Sequence, residues 1–148
     1  MNYLDELMSN KVIIAAVLAW FIAQILKVIF VLIGQKRIDF SRFVGAGGMP
    51  SSHSAFIVAL TTSVGKNMGL NSVEFAIAFA ISMIVMYDAS GIRRAAGQQA
   101  KTLNKMIQQW GKHDPRFFVE ERLKELLGHT PFEVVVGALL GMVVALGM

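Results

Sequence analysis

No cysteine occurs in the chain, which excludes disulfide bonds and thiolate metal sites and leaves thiols silent about the redox compartment. Charge is scarce: 16% of the 148 residues are Asp, Glu, Lys or Arg against 55% hydrophobic, and the mean hydropathy is +0.56. That balance excludes disorder, because a chain this apolar cannot stay solvated, and it argues against a soluble globular domain. There is no low-complexity tract and no internal repeat. Ahead of the first apolar run stand Asp5 and Glu6, where a signal peptide would carry a basic region. The run itself is too long for a signal-peptide core, so it reads as an uncleaved anchor. Histidine is limited to three residues. The net charge of +4 fits loops facing anionic lipid head groups, and no nucleic-acid partner is expected.

What the sequence does have is long apolar blocks. Residues 12–34 are interrupted only by Gln24 and Lys27. At about 1.5 Å per residue they are long enough to cross a hydrocarbon core of roughly 30 Å. Residues 54–70, 72–90 and 131–148 follow, and the last block holds Gly137 and Gly141. Their Gly-x-x-x-Gly spacing lets two helix backbones approach closely and offers a face for a homodimer. The predicted fold is all-α, a multi-pass transmembrane bundle of about four spans forming a single membrane-embedded domain over residues 1–148. The connection 91–127 reads as a basic amphipathic insertion. In it Leu103, Met106, Ile107 and Trp110 share one helical face, while Lys101, Lys105 and Gln108 lie elsewhere. That pattern predicts a helix on the membrane surface, and Val119, Leu123 and Leu126 predict a second, shorter one. Residues 34–50 hold Lys36, Arg37 and Arg42 against Asp39, and residues 91–127 hold eight basic against four acidic residues. The positive-inside rule then puts both connections in the cytoplasm and both termini outside.

Three constellations carry chemistry. The first is Gly47-Gly48-Met49-Pro50-Ser51-Ser52-His53, a glycine turn, hydroxyls and a histidine at the mouth of a helix. Unpaired backbone N–H groups and a partial positive charge at a helix N-terminus suit a phosphate. The same residues also suit a serine N-cap with an interfacial histidine. The second is His129-Thr130-Pro131-Phe132-Glu133, where a carboxylate four residues on can orient the imidazole and leave its other nitrogen free to attack. Thr130-x-x-Glu133 with Pro131 at the first helical position equally matches a capping box. The third, Asp88-Ala89-Ser90-Gly91-Ile92-Arg93-Arg94, ends an apolar run with an acid and two arginines. Arginine forks bind phosphate, and arginines at this place also snorkel to the interface.

Together these residues resemble the type 2 phosphatidic acid phosphatase superfamily, which includes bacterial acid phosphatases and vanadium haloperoxidases, and specifically its small divergent membrane branch. Of the superfamily pattern Lys-x6-Arg-Pro, Pro-Ser-Gly-His and Ser-Arg-x5-His-x3-Asp, the second part looks like Pro50-Ser51-Ser52-His53. The end of the third looks like His129-x3-Glu133 with the apolar run 134–141 behind it. The resemblance implies a nucleophilic His129, an orienting Glu133, a general acid His53, and Ser51 and Ser52 cradling the phosphate. It implies Lys36 and Arg42, with Lys27 as a competing lysine, and Arg93 or Arg94 as further phosphate ligands.

The departures from the pattern are Ser52 for glycine, Glu133 for aspartate, and Leu123 where an arginine would precede His129 by six residues. Lys36 and Arg42 are separated by five residues with no proline following. Carrying the arginine role to Arg93 or Arg94 requires residues from about 95 to 127 to be an insertion splitting the third motif. The function expected from the resemblance is a membrane phosphatase that hydrolyses a lipid phosphate through a phosphohistidine, without metal or other cofactor. Its partners would be the phosphorylated lipid and surrounding membrane lipids. Its place would be a bacterial cell membrane, with the site on the cytoplasmic side. The alternative is a non-catalytic membrane protein that binds lipid phosphate groups or serves as a structural partner.

Overall fold

Apolar blocks bounded by cap residues become helices. In the computed structural model, which describes residues 2–35, 48–111, 123, 125 and 128–148, these are α1 (Tyr3–Ser9), α2 (Lys11–Gln35), α3 (Ser52–Met68), α4 (Val73–Ser90), α5 (Ile92–Gly111) and α6 (Pro131–Gly147). Short polar side chains start four of them. The Asn10 side chain accepts from the Val12 and Ile13 amides ahead of α2, and Ser51, Ser72 and Thr130 accept from Ser54, Phe75 and Glu133 at α3, α4 and α6. Each cap satisfies amides that have no partner within the first turn. Gly91 separates α4 from α5.

The four apolar blocks therefore form helices within two residues of their expected ends. Two stretches, Lys11–Gly34 and Val73–Trp110, are long and apolar enough to cross a membrane. Helices α3 and α6 have 17 residues each, about 25 Å. α1 was not expected. Its Leu4, Leu7 and Met8 are all exposed, so no buried apolar face marked it in the sequence.

Helix α3 packs against α2, α4 and α6, and α2 also touches α6. Small residues allow this. Ala19 and Ala23 of α2, Ala55 and Ala59 of α3 and Ala145 of α6 form the buried core, with Leu140 and Val144 packed on it. A Cβ added at Gly137 would overlap the Ser51 carbonyl oxygen, and one at Gly141 would overlap that of Ala55 and stand 2.9 Å from the Ala59 nitrogen. The Gly-x-x-x-Gly face is thus occupied by α3 of the same chain, which corrects its reading as the face for a homodimer. Thr61 ties α3 to α4 by donating to the Ala78 carbonyl (3.1 Å) and to its own helix at Ile57 (2.8 Å).

Contacts fix the helix directions. Gly137 meets Ser51 and Gly141 meets Ala55, so α3 and α6 run parallel, while Lys27 meets Ser52 and Thr61 meets Ala78, so α2 and α4 run the other way. The N-termini of α3 and α6 and the C-terminus of α4 therefore gather at one end of the bundle. The second amphipathic helix expected around Leu123 is not seen at the residues described: Leu123 and Glu125 are not helical, and Val119 and Leu126 lie outside the described residues. Instead the Asn104 side chain of α5 clamps this stretch, accepting from the Leu123 amide and donating to the Leu123 carbonyl and to Glu125 Oε1.

Candidate functional site

His53 stands in the first turn of α3, and His129 immediately precedes the Thr130 cap of α6. Because the two helices start side by side, their imidazoles meet edge to face with ring centroids 6.0 Å apart. Two helix N-termini consequently direct partial positive charge at the same place. The strand of chain leading to His129 is held at three points. The His129 amide donates to the Ala89 carbonyl at the end of α4 (2.8 Å), and the Ser51 amide donates to the Glu133 carbonyl (3.1 Å). Gly128, at φ +80°, lies so close to α5 that a Cβ there would stand 2.6 Å from the Arg94 Cα and 2.7 Å from the Arg93 carbonyl carbon. Only glycine tolerates both that conformation and that contact.

His129 is 2% exposed, and neither ring nitrogen has a hydrogen-bond partner among the described residues. Burial, and then Lys27, His53 and Arg93, push its pKa from the usual 6.5 down to about 4. At neutral pH the ring is uncharged and one nitrogen keeps its lone pair. A buried polar ring with both nitrogens idle is uncommon in a folded chain and marks a place where a ligand can supply the partner.

Lys27 is equally buried at 2% exposed, and its Nζ donates to Ser52 Oγ (2.9 Å). It is one of the two lysines left open by the sequence, and it stands near both histidines. Lys36 and Arg42 lie outside the described residues. Lys27 and Arg93 act electrostatically on both histidines, with Asp88 and Glu133 as the neighbouring carboxylates. Arg93 is half exposed, with Nε on Asp88 Oδ2 at 2.6 Å, which leaves the rest of its guanidinium fork to a ligand. Arg94 contributes backbone against Gly128, and its side chain is exposed.

Two expected roles differ from the geometry. Glu133 Oε2 accepts from the Thr130 amide (2.8 Å) while the Glu133 amide donates to Thr130 Oγ1, a complete capping box. Its carboxylate thus makes no bond to His129 and serves the cap, the stronger local demand where four amides lack partners. It remains near enough to act electrostatically on Lys27. Ser51, expected on the phosphate, is fully buried, and its Oγ accepts from the amide and hydroxyl of Ser54 as the α3 cap. Ser52 carries the hydroxyl that faces Lys27.

A neutral, buried imidazole edge to face with a second histidine, with Lys27 and Arg93 close by, is an arrangement that can receive an anion. The chain is similar to a Bacillus subtilis (strain 168) protein named "Uncharacterized membrane protein YuiD", with 39% identity over 150 residues and 95% of each chain covered. No solved structure matches it. Residues 8–144, nearly the whole chain and including every residue of the cluster, match the family described as "Divergent PAP2 family", and the protein belongs to that family.

Proposed function

We propose that this protein is a multi-pass membrane phosphatase that hydrolyses a lipid phosphate through a phosphohistidine intermediate. The observation that carries the reading is the uncharged, buried His129 ring, without hydrogen-bond partners among the described residues, 6.0 Å from His53 and near Lys27 and Arg93. Lys27, Arg93 and the N-terminal amides of α3 hold the phosphate oxygens. A ring nitrogen of His129 attacks phosphorus, the bond to the ester oxygen breaks, and protonated His53 gives its proton to that oxygen. Neutral His53 then takes a proton from water, whose oxygen attacks the phosphohistidine, releasing inorganic phosphate and restoring His129.

In the membrane α2, α3, α4 and α6 form four spans, the shorter α3 and α6 included. The antiparallel course of α2 and α4 against α3 and α6 brings the connections after α2 and after α4 to the same end of the bundle. Their basic excess orients that end, and with it the site, toward the cytoplasm. Phosphate release from a panel of lipid phosphates by the purified protein tests the reading. His129→Ala abolishes release, whereas Glu133→Gln, which keeps the capping box, lowers it mildly. Wild-type protein that binds lipid phosphate or orthovanadate and releases no phosphate from any member of the panel overturns the enzyme in favour of a binding protein.

A further inference from the structure

Two sets of cavities flank the histidine pair. One, of about 410 Å³, opens between α2, α3 and α4 and is lined by Val17, Trp20, His53, Phe56, Ile57 and Val85. Two others, of about 610 and 390 Å³, share Met86, Ala138 and Met142 and make one fissure between α4 and α6. The fissure is the larger, and no histidine lines it. The smaller cavity has His53 in its wall, and every other wall residue is aliphatic or aromatic.

The direction of phosphoryl transfer distinguishes them. Attacking and leaving atoms stand on opposite sides of phosphorus in an in-line displacement. With His129 attacking, the leaving oxygen points at His53, and what that oxygen carries must continue past His53 on the side away from His129. His53 is exposed and lines the cavity between α2, α3 and α4, whose wall does not include His129. Val17 lies ten residues before Lys27 on α2, so the wall extends about 15 Å along the bundle from the level of the phosphate ligands. Val17 and Trp20 are themselves exposed, which leaves the cavity open along its length to surrounding lipid.

We infer that the cavity between α2, α3 and α4 holds the hydrocarbon of the substrate, a single alkyl chain borne directly on the leaving oxygen. The inference rests on the phosphatase reading and on its division of roles between His129 and His53. It makes the wall of this cavity, and not the larger fissure, the determinant of chain preference.

The full-length protein in lipid nanodiscs is irradiated with dodecyl phosphate carrying a terminal diazirine, and the labelled residues are mapped by peptide mass spectrometry. Labels concentrate on α2 near Val17 and Trp20 and on α4 near Val85. They fall about tenfold or more in Val85→Trp, which fills the cavity, and persist in Ala138→Trp, which fills the fissure. Val17→Trp fills the cavity from the opposite wall and replaces Val85→Trp if that variant does not fold. In turnover, the ratio of kcat/KM for dodecyl phosphate to that for butyl phosphate drops in the same variants and is unchanged in Ala138→Trp. Labels centred on Ala138 and Met142, or spread evenly over all helices and indifferent to Val85→Trp, overturn the inference. Labelling as described without phosphate release keeps the chain site and overturns the phosphatase reading. Phosphate release with labels in the fissure does the reverse.

Discussion

Replacing Gly137 by alanine adds one methyl group at the tightest point between α6 and α3. That Cβ would overlap the Ser51 carbonyl oxygen and stand 3.1 Å from both the Ser51 carbonyl carbon and its Cβ. Carbon atoms rest at about 3.5–4.0 Å, so the helices must part by at least about half an ångström, and the obstruction is backbone that cannot rotate away. Overpacking of this kind costs about 1–3 kcal/mol of stability. The displacement falls where the Ser51 amide meets the Glu133 carbonyl, the contact that sets His129 against His53. A misplacement near 1 Å lowers turnover by about 100-fold. Gly141→Ala makes the same clash one turn further from the site, against Ala55 and Ala59, so it loses similar stability and much less turnover. Unfolding of the purified variants in detergent, measured beside phosphate release, separates the two effects. Wild-type stability in Gly137→Ala, or equal loss of turnover in the two variants, would refute the argument that this seam positions the histidines.

Two other expectations concern the buried cations and the imidazole. Lys27→Met keeps the length of the side chain and removes a buried charge, so stability stays within about 1 kcal/mol of wild type while orthovanadate binding and turnover are lost; a thermal-shift titration with vanadate reads both, and retained binding would remove Lys27 from the phosphate site. His129, whose folded pKa of about 4 lies below its ordinary 6.5, binds fewer protons folded than unfolded between those values. Its contribution to stability is therefore complete above pH 6.5 and is lost as pH falls toward 4. Denaturant unfolding across that range shows a slope that His129→Ala diminishes, and an unchanged slope would mean that His129 is protonated in the folded protein.

Helices were legible in the sequence because long apolar blocks and their caps are local signals. Partners were less so. Gly137 and Gly141 announce that a backbone comes close, but the spacing does not say whose, and the answer was Ser51, Ala55 and Ala59 of the same chain. Lys27 illustrates the same limit: a lysine in an apolar run can snorkel or be buried, and the choice depends on Ser52 arriving beside it from the next helix. For Glu133 two readings used one carboxylate, and the nearest unsatisfied amide prevailed over the more distant ring. His53 and His129 are separated by 75 intervening residues, and it was the resemblance, which gives both a role on one phosphate, that implied their pairing. The contact of Gly128 with Arg93 and Arg94 had no sequence signal beyond the glycine itself.

The unequal lengths of the helices bear on the bilayer as much as on the protein. In the four-span arrangement α3 and α6, at about 25 Å, fall short of a hydrocarbon layer of about 30 Å, while the 25 residues of α2 exceed it. Helices that are too short are accommodated by local thinning of the lipid around them. Lys27 lies eight residues before Gln35, about 12 Å short of the end of α2, which in the proposed arrangement would put the phosphate ligands in a recess on the thinned side. On the proposed reading, head groups drawn down there would meet the histidines without their chains leaving the hydrocarbon, and turnover would depend on membrane thickness as well as on lipid identity.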